Sequence, residues 1–432
     1  MSNFYKRKVA QESANGTPAE DNLSNVETPE ENLETNLEEL ASEDSQLDTL
    51  MRDGETLDSD MEKTEDAITD AEDAMDDGEE LSENSAESLE IGQESVRKRW
   101  GIQRTRVARE SFRDNRGATR IAHEGWKETL KDLWSRLLSL VESMLARAKD
   151  LKLKVMNIGK SAVSRSKKYE DALSNLGTKK KKDTISGGWM SKLALEGDVK
   201  PIECGELAVQ IVGGGKSSAA ISALNAQIEA AAQYSVADGD DGTKFSAGNK
   251  DIEFVGEVAK KLKVLPGFEA ESGGNIEPHR VFALPGNAYV QSATKTLVTG
   301  AKGEESKLTM VAYFSAGDKA EQKDISTPSL GDMRKANTQL KKIGENYEKV
   351  LNDFRKQDAT LGKLKEAVKK TISNFDKSKE ENRNHLRAAR QIASAALTST
   401  TAVNKAIHGT ARNVISGLSG YIGAGIGAYE KA

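Results

Sequence analysis

From Glu124 to Ala148, the residues Trp126, Leu130, Leu133, Trp134, Leu137, Leu138, Val141, Met144, Leu145 and Ala148 recur at steps of three and four, with Lys, Glu, Asp and Arg between them. That spacing predicts a strongly amphipathic helix with one apolar stripe. A Trp- and Leu-rich face could lie on a membrane, but the mixed signs of the charges favour a helical bundle. Gly159 is a candidate interruption, and Val163, Tyr169, Ala172, Leu173 and Leu176 then predict a second helix stopped by Gly177. Near the other end the period tightens to a heptad. Leu340, Tyr347, Phe354, Leu361, Val368 and Phe375 take one seam position, and Ile343, Val350, Gln357, Leu364 and Thr371 the other, so nine of eleven entries are apolar. The spacing is that of a coiled coil, weakened by Gly344 and Gly362. An alanine-rich helix from about Glu380 to Gly417 could fold back on it as an antiparallel hairpin and offer an oligomer contact.

Between these helical regions the pattern changes. "ELAVQIV", "DIEFVG", "HRVFAL", "AYVQSA", "TLVTGA" and "KLTMVAYFSA" are short β-branched or alternating runs, punctuated by Gly, Asp-Gly and Asn, and read as strands. Ser218–Ala232 and Asp251–Lys263 have helical spacing instead. Residues 184–333 therefore read as a mixed α/β domain, entered through the lysine cluster "TKKKKD".

Charge divides the chain a second way. Residues 1–94 hold 30 Asp and Glu against 5 Lys and Arg, a net of −25, whereas residues 95–182 hold 24 basic against 9 acidic, a net of +15. A segment so charged and so poor in aromatics does not bury enough apolar surface to offset the entropy of ordering. It reads as mostly disordered, with short helices around 34–51 and 61–75. The expected fold class is α+β: a disordered acidic N-terminal segment (1–94), a basic arm (95–123), amphipathic helices (124–177), the inserted mixed α/β domain (184–333), a helical hairpin (334–417) and a Gly-rich tail (418–432). In that tail Gly423 and Gly427 have close-packing spacing, but "VISGLSGYIGAGIGAY" is short for a membrane span. No stable span is expected elsewhere, and the first residues lack the apolar run of a signal peptide.

Local chemistry is sparse. "QIVGGGKSSAAIS" imitates a phosphate loop, with Lys216 and Ser217 after glycines, but the first glycine is required where Gln210 stands. A turn before a helix is the better reading. Cys204 is the only cysteine, and His123, His279, His385 and His408 lie far apart, so neither a disulfide framework nor a histidine-spaced metal site is implied. No catalytic residue, cofactor or metal is assigned, and the mixed domain is expected to be a folded interaction or packing module.

The sign change itself suggests a role. An acidic block tethered to a basic body competes with any external polyanion at high effective concentration. Cutting between them would end that competition. The boundary carries a repeated small-x-Glu signal followed by Ser: Ser85-Ala86-Glu87, Gly92-Gln93-Glu94 before Ser95, and Ala108-Arg109-Glu110, with a further copy at Ala10–Glu12. Arg97, Lys98, Arg99, Arg104, Arg106 and Arg109, just beyond or among these sites, are the candidate DNA contacts.

With the stretch "WGIQRTRVARESF…RIAHEGWKETLKDLWSRLLSLVESMLARAKDLK", these sites make the chain resemble the internal head proteins of large tailed phages, phiKZ-like or T-even-like. The resemblance covers roughly residues 80–180. It implies that a prohead protease cuts after Glu to remove an N-terminal propeptide, and that the mature virion protein stays inside the capsid with genomic DNA, beside capsid or core proteins. It supplies no catalytic residues, and the expectation is a structural protein. The alternative is a host-directed effector, enzyme or inhibitor, carried in the head and injected into the host cytoplasm.

Overall fold

The computed structural model describes residues 29–76, 83–102, 115–213, 215–236, 245, 258–269, 275–299, 304–317, 320–375 and 383–432. Four long helices dominate it: α1 (Pro29–Asp76), α3 (Asn115–Ser174), α7 (Leu330–Asn374) and α8 (Arg383–Gly427). Shorter ones are α2 (Glu83–Trp100), α4 (Trp189–Lys192), α5 (Pro201–Gly213) and α6 (Gly215–Val236). Strands β5 (Ile276–Leu284), β6 (Ala288–Thr299) and β7 (Glu304–Ser315) form an antiparallel meander in the order β5-β6-β7. Three small antiparallel pairs close the connections: β1 (Leu176–Lys180) with β9 (Tyr429–Lys431), β2 (Thr184–Ile185) with β8 (Ile325–Ser326), and β3 (Ala194–Leu195) with β4 (Asp198–Val199). The chain is an α+β fold with early and late helices packed together and the sheet laid on α8.

The α3 stripe is buried from Trp126 to Met144, with Leu133, Trp134 and Val141 fully covered. Every α7 seam residue from Leu340 to Thr371 is buried as well, facing α3, α5, α6 and α8 of the same chain. α7 starts where it does because Ser329 caps it. The Ser329 hydroxyl accepts from the Asp332 N–H at 3.1 Å while the Asp332 carboxylate accepts from the Ser329 N–H, and Pro328 precedes them.

Gly159 does not interrupt α3, which runs unbroken to Ser174. It faces Gly344 of α7: a Cβ built on Gly344 would lie 2.7 Å from the Gly159 carbonyl oxygen, and one on Gly159 would lie 2.9 Å from that of Gly344. The two glycines mark a close helix crossing.

The mixed region departs from its expected strands at one end. "ELAVQIV" is part of helix α5, whose Cys204, Ala208, Ile211 and Val212 are buried at helical spacing. A run of seven apolar-rich residues fits a period of 2 and of 3.6 about equally, and packing against α7 and α8 decides for helix. The glycines after it therefore join two helices rather than a strand and a helix. "DIEFVG" lies outside the described residues. Of the helix expected over Asp251–Lys263, only 258–263 are described, and they are not helical: Val258 bridges Phe282 of β5. "HRVFAL" lies in β5, "AYVQSA" and the start of "TLVTGA" in β6, and "KLTMVAYFS" in β7.

The segment set apart as a Gly-rich tail continues α8 to Gly427. Its glycines admit neighbours: a Cβ at Gly420 would lie 2.6 Å from Trp189, and one at Gly425 would lie closer still to Met333. Among the described residues, no helix is long and apolar enough to cross a membrane.

α8 is the most enclosed element and carries polar groups inward. His408 stacks on Phe354 at 4.7 Å between ring centres, and its Nδ1 lies 2.7 Å from the Tyr347 hydroxyl. Burial pushes this imidazole down from 6.5 to about 3. Because the unfolded chain takes up the proton first, stability is full above about pH 6.5 and is lost as the pH falls toward 3. The loss from this one group should reach about 2 kcal/mol at pH 5. Urea midpoints at pH 7 and pH 5 should show it, and His408→Gln should flatten the difference.

Candidate functional site

The acidic block provides the site. It was expected to be mostly disordered, with short helices around 34–51 and 61–75; residues 29–76 are instead one helix joining both, while 1–28 and 77–82 lie outside the described residues. Helix α1 carries 19 Asp and Glu against only Arg52 and Lys63. Disorder would follow if it stood alone, but it does not. Leu40, Leu47, Leu57, Met61 and Ile68 are buried against α3 and α8, and Leu50 packs beside them.

Its carboxylates meet cations of the body in antiparallel register along α8. Asp48 pairs with Lys405, while Asp66 pairs with Arg387 at 2.9 Å, with Glu62 and Glu65 close by. Eighteen residues separate the paired positions on each helix. Between them lies Arg390, whose side chain is 1% exposed. Its Nε and Nη2 donate to the two oxygens of Glu65, each at 3.0 Å, and its Nη1 donates to the Asp58 carboxylate and, at 3.1 Å, to the Asp58 carbonyl. Burial raises the pKa of Glu65 and of Asp58 while the Arg390 charge opposes that rise. Lys295 of β6 adds a weaker opposing charge at Asp58, across a cleft of about 240 Å³ between α1, the sheet and α8.

On the α3 side, Lys154 donates to Glu43 at 2.8 Å, and Arg147 reaches Glu43 at 3.8 Å and bonds Gln46. Surface pairs of this kind contribute little singly. The buried Arg390 cluster and the apolar seam hold the helix.

Helix α2 is the junction where the charge changes sign. Asp60 of α1 is buried and accepts from Arg99 at 2.7 and 2.8 Å and from the Trp100 indole at 2.8 Å. Arg97 turns the other way: its Nε donates to the Thr129 hydroxyl at 2.8 Å and its Nη2 reaches Gly125 O and Glu128. Of the six candidate DNA contacts, Arg97 is thus engaged inside the fold, Arg99 is exposed but paired with buried Asp60, Lys98 is exposed, and Arg104, Arg106 and Arg109 lie outside the described residues.

The cleavage candidates divide similarly. Ser85, Ala86 and Glu87 fall in the first turn of α2, and Gly92, Gln93, Glu94 and Ser95 in its middle, while Ala108, Arg109 and Glu110 lie outside the described residues. A Cβ built on Gly92 would lie 3.8 Å from the Trp126 ring and the Gln93 amide donates to Thr129 at 3.1 Å, but Glu94 and Ser95 face solvent.

Cys204 and His279, two side chains of the mixed domain with chemistry to offer an effector, each have a contact of their own. The Cys204 thiol is buried, donates to Leu193 O at 3.2 Å and has its pKa raised by burial, so it stays protonated; His279 Nε2 lies 3.0 Å from Thr294 Oγ1.

A family model of phiKZ-like phage internal head proteins matches residues 42–424, from within α1 almost to the end of α8. The chain belongs to this family. It is a phage internal head protein, placed in the virion interior and structural in class. No curated protein and no solved structure matches it. The matched span includes the docking face of α1, the α2 junction and every cation of the seat, so the charge-paired arrangement lies inside the part of this internal head protein that defines its family.

Residues that local reading missed are Asp58, Asp60 and Glu65 with Arg387, Arg390 and Lys405. A signal existed: Leu40, Leu47, Gly54, Met61 and Ile68 are spaced by sevens, with Leu50, Leu57 and Thr64 at the alternate heptad position.

Proposed function

We propose that this internal head protein is made with its acidic block as a propeptide, cut after Glu94 by the prohead protease, and packaged with the genomic DNA beside capsid or core proteins. The observation that carries the reading is the seating of α1 carboxylates on Arg387, Arg390, Lys405, Arg147 and Lys154. A polyanionic helix that occupies the cations of a basic body lowers that body's attraction for a second polyanion.

The Glu94–Ser95 bond combines exposed flanking residues with the point of sign change. A protease takes its substrate extended, so α2 has to open locally there; exposed Ile91 and the half-buried Gly92 and Gln93 make that opening inexpensive compared with melting α3. Lys98, Arg104, Arg106 and Arg109 are the DNA contacts in this reading, with Arg97 and Arg99 assigned to holding α2 on α3 and α1.

Protein recovered from virions should begin at Ser95, read by intact mass and N-terminal sequencing, and Glu94→Gln should stop the cut at that bond. A chain in mature particles that still begins at Met1 would overturn the proposal.

A further inference from the structure

The helix that the cut would discard is built into the body. Leu40, Leu57 and Met61 of α1 are each no more than 1% exposed, as deeply buried as the α3 residues they adjoin. Each ion pair named for α1 crosses the proposed cut: Asp48, Asp58, Glu65 and Asp66 lie before Glu94, and Lys405, Arg390 and Arg387 lie after it. The junction is crossed as well, since Arg99 and Trp100 on the downstream side hold Asp60 on the upstream side. On the upstream side, the Gln93 amide donates to Thr129 downstream, and a Cβ built on Gly92 would lie 3.8 Å from the Trp126 ring.

We propose that the cut does not release the acidic block: residues 1–94 remain seated on the body as a separate, noncovalent subunit. The inference rests on the processing reading for its place in the virion, but its physical content is independent of which protease acts. The peptide bond contributes tether, whereas burial of the seam and of Arg390 supplies the hold. Breaking the bond changes the molecularity. Before the cut a displaced α1 returns at the high effective concentration of a tethered group; after it, the same displacement is a dissociation that dilution makes one-way. Cutting thus arms the release without performing it, and a competing polyanion or a rise in salt has first to overcome contacts that are largely apolar and therefore weakly screened.

The test uses the full chain with a sequence-specific protease site introduced within residues 77–82, between α1 and α2. A cut there leaves all of α2 on the body, so the N-terminal piece keeps fewer contacts than after Glu94 and the test is the harder case. After complete cutting, gel filtration in 0.15 M and in 1 M NaCl should show both pieces in one peak at a 1:1 ratio. Separation of the pieces in 0.15 M NaCl, with the body still cooperatively folded, would overturn the inference. Leu57→Asp should separate them after the cut; Leu40→Ala with Met61→Ala serves the same purpose should the aspartate variant not fold, and co-elution of a folded seam variant after cutting would show that the seam is not what holds α1. Mass spectrometry of virions keeps the two proposals apart. An uncut chain there defeats the processing reading alone, whereas a body beginning at Ser95 with no peptides from residues 29–76 defeats retention.

Discussion

Replacing Arg390 with leucine should cost the folded chain about 3–5 kcal/mol, because it removes the buried guanidinium that pairs with both Glu65 and Asp58 and leaves Glu65 only a longer contact to Arg387. Glu65 loses both of its 3.0 Å bonds and Asp58 loses its ion pair with Arg390. The direction of the pH response distinguishes this from a simple packing loss. Burial already holds both carboxyls above their ordinary values with Arg390 opposing; without Arg390 they rise further. A carboxyl raised in the folded state gives its stability below the unfolded value, near pH 4 to 4.5, and loses it as the pH climbs through the folded value. Arg390→Leu should therefore recover part of its deficit in mild acid, in the range where His408 is making the native chain less stable. Combining it with Glu65→Leu and Asp58→Leu should restore most of the loss at pH 7, since a buried ionic cluster replaced whole by apolar groups is often neutral or better. Urea denaturation of the single and triple variants at pH 7 and pH 5 checks each step.

A valine at Gly344 should destabilise by on the order of 3 kcal/mol, the upper end for forcing extra atoms into a packed core. Ordinary helix propensity points the other way, since glycine is the poorer helix former by about 1 kcal/mol relative to alanine. Sterics decide. The new Cβ would sit 2.7 Å from a backbone oxygen and 2.9 Å from Val163, and a helix backbone cannot turn aside as a side-chain tip can. Gly362, also in α7, has nothing within 4 Å of its would-be Cβ. Gly362→Ala should therefore stabilise by about 1 kcal/mol. Opposite signs for two glycines on one helix, measured as shifts in thermal midpoint, would locate the α3–α7 crossing without a structure.

The same two glycines show where sequence reading reaches its limit. Periodicity found the Trp126–Met144 stripe and the α7 seam because each writes its burial into consecutive turns. Gly344 looked like a weakness in that seam because its partner, Gly159, is far away in the chain; a close crossing has no local signature. The misreading of α1 has the same origin. Its charge counts toward disorder only while its partners are unknown, and Arg387, Arg390 and Lys405 stand more than 300 residues downstream. The heptad of Leu40, Leu47, Met61 and Ile68 was the one local clue, diluted by 19 acidic residues in the same helix. The charge boundary at Glu94 and the family resemblance were legible because both are local features, of composition and of a contiguous stretch. What the boundary does in three dimensions was not, since it depends on which side chains Asp60 and Thr129 gather.

The bond from Trp100 to Asp60 also gives the molecule a native optical label. The indoles of Trp126, Trp134 and Trp189 are buried and their N–H groups meet no acceptor among the described residues, so none of them makes such a bond to α1. Trp100 is partly exposed and donates to a carboxylate that belongs to α1. If α1 leaves, that indole passes from a fixed anion to water and its fluorescence shifts toward longer wavelength, in the same direction as Trp126 and Trp134, whose apolar cluster includes Leu57 and Met61 of α1. Occupancy of the seat can thus be followed by light, in the unlabelled protein, in real time.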